Sequence, residues 1–333
     1  MFFVSSCKKK NTNEIVDAFS LSQGSSVIVV NEGNFQWSNA SVTYYNKSDN
    51  SVKDNIFTLV NDRPLGDVAQ SILIINNLAY IVVNNSQKIE VVSLPDFKTV
   101  NTIKGFVSPR YILPVNSQKA YVTDLYANKI YVLDLTNNVI SGEIICNGST
   151  EEMVLKDDKV YITNTRTKYL YLIDINSDNI VDSVNIGYAA SSIRLDNNNN
   201  IWVMCAGNRD ISEHAGIYKI NTITKGVDKS YDLGISLNIW DKLELNNEKD
   251  TIYYMNNGIY KMPVSSTNLP SSPFIACNGK LFHGIGIDPQ TGIIYIADAI
   301  DYVRKGKIYR YSRNGSIINS FDAGVIPSGF CFY

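Results

Sequence analysis

Histidine is nearly missing from this chain of 333 residues. Its two copies, His214 and His283, exclude a three-histidine metal centre and leave axial ligation or proton transfer by one imidazole as the open roles for that side chain. Cysteine is sparse as well, and the five cysteines show no paired Cys-x-x-Cys spacing of the zinc-binding kind. No apolar run reaches the roughly 18 residues of a membrane-spanning helix, so no transmembrane helix is expected. Neither sign of charge dominates, with 30 basic against 32 acidic residues. Without a basic patch interleaved with aromatics, nucleic acid is not expected as a partner.

What the chain has in quantity is a repeat. Ala79-Tyr80-Ile81-Val82, Ala120-Tyr121-Val122-Thr123, Val160-Tyr161-Ile162-Thr163, Ile201-Trp202-Val203-Met204, Ile252-Tyr253-Tyr254-Met255 and Ile294-Tyr295-Ile296-Ala297 place an aromatic at steps of 41, 40, 41, 51 and 42 residues. A period near 40 with one aromatic per unit predicts propeller blades. A second apolar segment follows each, as in Lys129-Ile130-Tyr131-Val132-Leu133 and Lys307-Ile308-Tyr309-Arg310-Tyr311. A third run precedes each pair (Tyr111-Ile112-Leu113) and a fourth trails it (Thr99-Val100-Asn101-Thr102-Ile103). Four short strands joined by Asn, Gly, Asp and Ser turns make one antiparallel sheet with little room for helix.

Counting blades gives an all-β, seven-bladed propeller over residues 26–333, a size that one domain can have at 44% hydrophobic content. The first blade lacks its innermost strand. Pro327-Ser328-Gly329-Phe330-Cys331-Phe332 copies the start of Pro109-Arg110-Tyr111-Ile112-Leu113, so the C-terminal strand is expected to join the first blade and close the ring. Closure buries the outer faces that an open stack would leave wet. Tyr80, Tyr121 and Tyr161 then pack between blades. Cys146 and Cys277 fall at matching positions three blades apart, too distant to bond, while Cys205 and Cys331 read as buried, quiet thiols.

The N-terminus reads differently. Met1-Phe2-Phe3-Val4-Ser5-Ser6-Cys7 has the form of the end of a bacterial lipoprotein signal, with an apolar residue three before a cysteine and small residues between. Residues 1–6 would be a signal remnant, Cys7 the lipidated residue, and residues 7–25 a polar, flexible tether. An ordinary cysteine near a disordered terminus is the alternative, because six residues are too few for the signal's apolar core.

Chemistry is expected on the propeller face where the long loops gather, at residues 31–40, 206–215 and 299–306. They carry Glu32, Phe35, Trp37, Arg209, His214 and Tyr302, and shorter loops on that face add Arg63, Arg110, Tyr126, Arg166, Tyr188, Trp240, Asp241, Phe282 and His283. Aromatic side chains on loops are harder to explain by packing than those on strands, and an exposed aromatic patch marks binding. Three classes of function stay open. An enzyme would use Glu32, Glu151, Asp241 and His283 around a calcium or magnesium ion, as a lactonase or lyase. A scaffold or adhesin would present a flat rim to protein or glycan. A small-ligand binder would present a bowl of aromatics and amides.

The repeated Ala-Tyr-Val/Ile-Thr/Val and Lys-Ile-Tyr-Val-Leu-Asp pattern, clearest at 120–134 and 160–174, resembles the surface-layer-like YVTN propellers over about residues 26–333. With the lipoprotein-like start and the segment Val29-Val30-Asn31-Glu32-Gly33-Asn34-Phe35, the chain looks like the propeller lipoproteins of Bacteroidetes, including the outer-membrane cobalamin-capture proteins. The resemblance implies a monomeric, lipid-anchored cell-surface receptor that binds a corrinoid on its loop face. It would pass the ligand to a TonB-dependent outer-membrane transporter. Trp37, Tyr126, Arg166, Arg209, Trp240 and His283 would contribute most, since a corrin is a broad plate rimmed by amides and a preformed mouth limits the entropy lost on binding. Lys8-Lys9-Lys10 departs from the acidic residues that often follow the lipidated cysteine of surface-exported lipoproteins, so periplasmic-facing attachment stays open.

Overall fold

Tyrosine and β-branched residues in short runs, separated by Asn, Asp, Ser and Gly, favour short antiparallel strands. In the computed structural model, which describes residues 19–235 and 241–333, they form 28 strands. Cys7, Trp240 and tether residues 7–18 lie outside the described residues. Blade one holds β1 (Ser26–Asn31), β2 (Ser41–Asn46) and β3 (Val52–Lys53), and is followed by one short helix, α1 (Ile56–Asn61). Blade two is β4 (Ala69–Ile75), β5 (Leu78–Val83), β6 (Lys88–Ser93) and β7 (Thr99–Lys104). Blade three is β8 (Pro109–Pro114), β9 (Lys119–Asp124), β10 (Lys129–Asp134) and β11 (Val139–Ile145). Blade four is β12 (Thr150–Lys156), β13 (Lys159–Asn164), β14 (Tyr169–Asp174) and β15 (Asn179–Asn185). Blade five is β16 (Ala190–Leu195), β17 (Asn200–Cys205), β18 (Ala215–Asn221) and β19 (Gly226–Gly234). Blade six is β20 (Leu243–Leu245), β21 (Thr251–Met255), β22 (Gly258–Pro263) and β23 (Ile275–Ala276). Blade seven is β24 (Phe282–Ile287), β25 (Ile294–Asp298), β26 (Lys305–Tyr311) and β27 (Ile317–Val325).

The last strand, β28 (Pro327–Phe332), is the innermost strand of blade one, giving the order β28-β1-β2-β3. It runs antiparallel to β1, with Ile28 opposite Cys331 and Val30 opposite Gly329. Each of the seven sheets is thus four-stranded and antiparallel, as the repeat predicts.

The core is a ring of slabs. Seven separate apolar clusters fill the seven blade-to-blade interfaces, the closing one joining Val27, Val29 and Tyr45 of blade one to Tyr295, Ala297 and Phe321 of blade seven. The repeated tyrosines are buried there, and two also tie blades by their hydroxyls. Tyr80 donates to Asn138 Oδ1 at 2.6 Å, and Tyr121 donates to Asp178, each partner lying in the turn before the outermost strand of the next blade. Blade one has an outermost strand of two residues, and α1 packs against β2, burying Ile56 and Phe57 in the interface with blade two.

Ahead of β1, the chain already packs on the propeller. Leu21 is buried and its N–H donates to the Pro95 carbonyl at 2.8 Å, and Phe19 meets Tyr44 edge-on at 5.4 Å. The four described cysteines carry free thiols, and Cys146 and Cys277 sit in different blade interfaces.

Candidate functional site

Six of the innermost strands begin with the same irregularity. Where Ala69 pairs with Val83, Ser71 pairs with Val82, so Gln70 is an extra residue without a partner in the ladder, and equivalent register shifts occur at the starts of β8, β12, β16, β24 and β28. A bulge re-aims a side chain without ending the strand. Repeated around the ring, it sets Gln70, Arg110, Glu151, Ser191, His283 and Ser328 at one level of the channel mouth, with Lys242 just ahead of β20.

Those residues interlock. Arg110 Nε lies 2.9 and 3.0 Å from the two Glu151 carboxylate oxygens, and its Nη1 donates to Gln70. His283 Nε2 is 3.2 Å from Glu32 Oε1, and its ring meets Tyr302 edge-on at 5.5 Å. Burial works against ionisation of Glu32, but the hydrogen bond and charge of His283 and the charge of Arg110 outweigh it and hold the carboxyl below its ordinary range.

One layer deeper, Glu152 Oε2 accepts from Ser192 Oγ at 3.0 Å, from the Ile193 N–H at 3.2 Å and from Arg194. Arg194 also pairs with Glu244, and Lys242 Nζ donates to Tyr111 at 2.6 Å and to Glu152 Oε1 at 3.2 Å. Burial alone would push Glu152 up, yet the charges of Arg194 and Lys242 with these hydrogen bonds hold it at about 2. The network bridges blades two to six. Sequence reasoning missed Gln70 at the mouth and the deeper members Tyr111, Glu152, Arg194, Lys242 and Glu244. The readable signal was a charge inside an otherwise apolar innermost strand, such as the adjacent carboxylates ahead of Met153.

The loops above are pinned from below. Asp124, which ends β9, accepts from the N–H groups of Ser108 (2.7 Å) and Val107 (3.1 Å) in the incoming loop and from Tyr126 (3.0 Å) and Ala127 (2.9 Å) in the outgoing one. Asp298, ending β25, does the same for Leu281 and Ile300 at 2.9 Å each. The 31–40 loop is held throughout its length. Asn34 N–H donates to Asn39 Oδ1 at 2.7 Å, Asn34 Nδ2 to the Tyr302 carbonyl at 2.6 Å, and the Gln36 N–H to Asp67 Oδ2 at 2.8 Å. Gly33, at φ 74°, is required there, because a Cβ would lie 2.5 Å from Asn39 Oδ1 and 2.7 Å from the Ala40 nitrogen.

This rigid loop holds Phe35 and Trp37 out in solvent, 62% and 74% exposed, and Tyr302 beside it is 38% exposed. Across the mouth, Tyr126 is 57% exposed with the Arg166 guanidinium 5.7 Å from its ring. Val107, Ile211, Ile235, Leu281 and Val303 are further exposed apolar side chains on the same face. Asp241 and Tyr302 line a cavity of about 350 Å³ with Asn256 and Lys280. Arg209 is exposed on a single 3₁₀ turn, and Tyr188 is half-buried with its carbonyl accepting from the Gly207 N–H at 3.0 Å.

Other expected site residues are placed elsewhere. Arg63 donates to both oxygens of Glu90 at 2.9 and 2.8 Å, because that buried carboxylate on β6 needs a counter-charge, and its guanidinium stacks 4.8 Å from the Phe57 ring. Phe282 is buried in the interface of blades six and seven, since its position on β24 faces that slab. His214 Nδ1 is 2.9 Å from Asp232 of the outermost strand β19. Among the described residues, no group of three or more His, Cys, Asp or Glu is arranged to hold a metal ion, and no helix is long and apolar enough to cross a membrane.

A family model described as a domain of unknown function, DUF5074, matches residues 25–332, and the chain belongs to that family. No curated protein matches the sequence. Among solved structures, a quinonprotein alcohol dehydrogenase-like protein from Bacteroides thetaiotaomicron is similar at 15% identity and a TM-score of 0.74, over 93% of this chain and 78% of that one. A Bacteroides fragilis protein given the provisional name 6-phosphogluconolactonase is similar at 12% identity and a TM-score of 0.69, over 93% and 98% of the two chains. A functionally unknown protein from Desulfotomaculum acetoxidans is similar at 11% identity and a TM-score of 0.68, over 92% and 98%. Such identities carry the propeller fold and say nothing of activity.

Proposed function

We propose that this DUF5074 propeller is a ligand-capture protein that binds a corrinoid on its loop face, is held at the outer membrane by a lipid on Cys7, and passes its cargo to a TonB-dependent transporter. One observation carries the binding reading: Phe35 and Trp37 stand in solvent on a loop whose backbone is fixed by hydrogen bonds to two neighbouring blades. Exposed aromatics on a mobile loop would collapse onto the protein, whereas a pinned loop keeps them available at little entropic cost. Tyr302, Tyr126 and Arg166 extend that surface around the mouth, and aromatic faces flanked by side-chain donors suit a broad plate with an amide rim. The interlocked charges beneath form a floor on which such a plate rests.

The lactonase or lyase reading has less support. Glu151 is engaged by Arg110, and Glu32 by His283, so neither carboxylate is presented as an open ligand for a divalent ion. A scaffold that binds protein is favoured by the aliphatic side chains Val107, Ile211, Leu281 and Val303 on the same face. Titrating the full chain, with Cys7→Ser to keep it unacylated, with cyanocobalamin in a calorimeter separates the two. Saturable one-to-one binding that drops at least tenfold in the Phe35→Ala/Trp37→Ala variant supports capture. A folded protein that takes up no corrinoid overturns it and leaves the scaffold.

A further inference from the structure

Below the charged floor the channel opens into a chamber of about 460 Å³, within the range of roughly 300–1,000 Å³ typical of small-molecule sites. Its walls are unlike. On the side of blades three to six stand Tyr111, Glu152, Arg194, Lys242 and Glu244 among Ile112, Leu113 and Met153; on the side of blades seven, one and two Ile285, Ile287, Phe330, Phe332 and Ile72 lie below Glu32, Gln70, His283 and Ser328. Gly286 admits the aromatic wall, because a Cβ there would lie 2.8 Å from the Phe330 ring. The chamber continues to Pro289, in the turn after β24 on the face opposite the loops.

Ion pairs that only braced blades would be sealed. Here the side chains of Arg194, Lys242 and Glu244 keep 26%, 21% and 23% of their surface accessible although they lie inside the ring. Among these deeper groups the charges balance, two cations against Glu152 and Glu244, and Glu32 at the upper end is engaged by His283, so these groups offer no net charge to a ligand. What remains is hydrogen-bond donors. The Tyr111 hydroxyl accepts from Lys242 (2.6 Å) and Gln70 (3.3 Å), and among the described residues its own hydrogen has no acceptor. The Lys242 ammonium has three donors, and two are engaged, by Tyr111 and Glu152. Among the described residues, two donors on atoms 2.6 Å apart therefore remain in a chamber that Phe330 and Phe332 also line.

We infer that this chamber is a second binding site, separate from the loop face, for a small uncharged molecule with a carbonyl acceptor at one end and an apolar or aromatic body at the other. The carbonyl takes the Tyr111 O–H and a Lys242 N–H, and the body lies against Phe330 and Phe332. Entry is from the Pro289 side, since the Arg110, Glu151 and Gln70 interlock narrows the loop side across blades two to four.

The test uses the full chain and three probes with one carbon skeleton: 4-phenylbutyramide, 4-phenylbutyrate and 4-phenylbutylamine, titrated by calorimetry and by saturation-transfer NMR. The amide is expected to bind one-to-one, with both charged probes at least tenfold weaker. Tyr111→Phe, which keeps the ring and loses the donor, is expected to weaken the amide about fivefold, the worth of one hydrogen bond. Phe330→Leu should weaken it without unfolding, and Phe35→Ala/Trp37→Ala should leave it unchanged. No saturable binding of the amide, equal binding of a charged probe, or loss of amide binding in the loop variant but not in Tyr111→Phe would each overturn the assignment.

Discussion

Replacing Glu152 by glutamine tests whether the charges in the channel hold the ring together. The carboxylate is 8% exposed and answers Arg194, Lys242, Ser192 Oγ and the Ile193 N–H at once. Glutamine keeps the volume but leaves two cations facing Glu244 alone, and removing one partner of a buried ion pair costs about 3–5 kcal/mol. The carboxyl's depression from 4.5 to about 2 leads to a similar figure: about two and a half pKa shifts at 1.36 kcal/mol each come to about 3 kcal/mol. For a chain of 333 residues, that corresponds to a fall in Tm of about 4 °C. Because the folded pKa is the lower one, the stabilisation is complete above the unfolded value of 4.5 and is lost as pH falls through about 2. Thermal unfolding of the two proteins should therefore differ by a constant gap from pH 7 to pH 5, narrowing towards pH 2. The double variant Glu152→Gln/Lys242→Met should recover about half the loss, since it removes the uncompensated cation. A Glu152→Gln protein that melts within 1 °C of the parent (about 0.7 kcal/mol or less) at pH 7 would refute the reasoning.

Tyr121→Phe removes the hydroxyl that ties blade three to Asp178 of blade four, and urea unfolding should report a loss of about 1–2 kcal/mol; an unchanged midpoint would show that packing alone joins these blades. Gly33→Ala forces a Cβ against the loop backbone at a positive φ, so it should cost about 1–3 kcal/mol and weaken corrinoid binding more than any equally destabilising change in a blade interface. Among the four described cysteines, alkylation at pH 8 followed by mass spectrometry should modify partly exposed Cys277 first: burial raises its thiol too, but it pushes those of Cys146 and Cys331 up to about 12 and raises that of fully buried Cys205. Equal rates at Cys205 and Cys277 would count against the packing of β17.

The fold was legible because a propeller writes one pattern seven times. Each innermost, second and third strand needs the same apolar residues to fill the same slab between blades, so the aromatic at 80, 121, 161 and 202 recurs with the geometry that demands it. The ring closure was legible for the same reason, since residues 327–332 had to supply a missing copy. The candidate site was only partly readable. Phe35, Trp37, Tyr126 and Trp240 stood out as aromatics without a strand to serve; the first three are exposed, and Trp240 lies outside the described residues. Arg63 was misleading, because a loop arginine looks alike in sequence whether it meets solvent or a buried Glu90 on β6. The ends of the second strands were also underread: Asp124 and Asp298 look like the last residues of a packing motif, yet their carboxylates fix the loops on both sides of the mouth.

The channel escaped for a deeper reason. A repeat signal is made of what the blades share, whereas a site at the ring axis is made of what they do not share. The bulge that opens six innermost strands is common to the blades, but the residue it re-aims is Gln70, Arg110, Glu151, Ser191, His283 or Ser328, no two neighbouring blades offering the same side chain. A residue released from ladder pairing and from the interface slabs is released from the constraints that make blades alike, so the sheet tolerates any polar side chain there. Six such positions meeting on one axis give a ring in which the backbone irregularity repeats and the charge does not. The chamber beneath is lined just as unevenly, with Glu152, Arg194, Lys242 and Glu244 on one side and Phe330 and Phe332 on the other. The same freedom on the loop side lets one blade extend a pinned, aromatic loop while its neighbours keep tight turns, so the loop face and the channel lining can vary without disturbing the sheets beneath them.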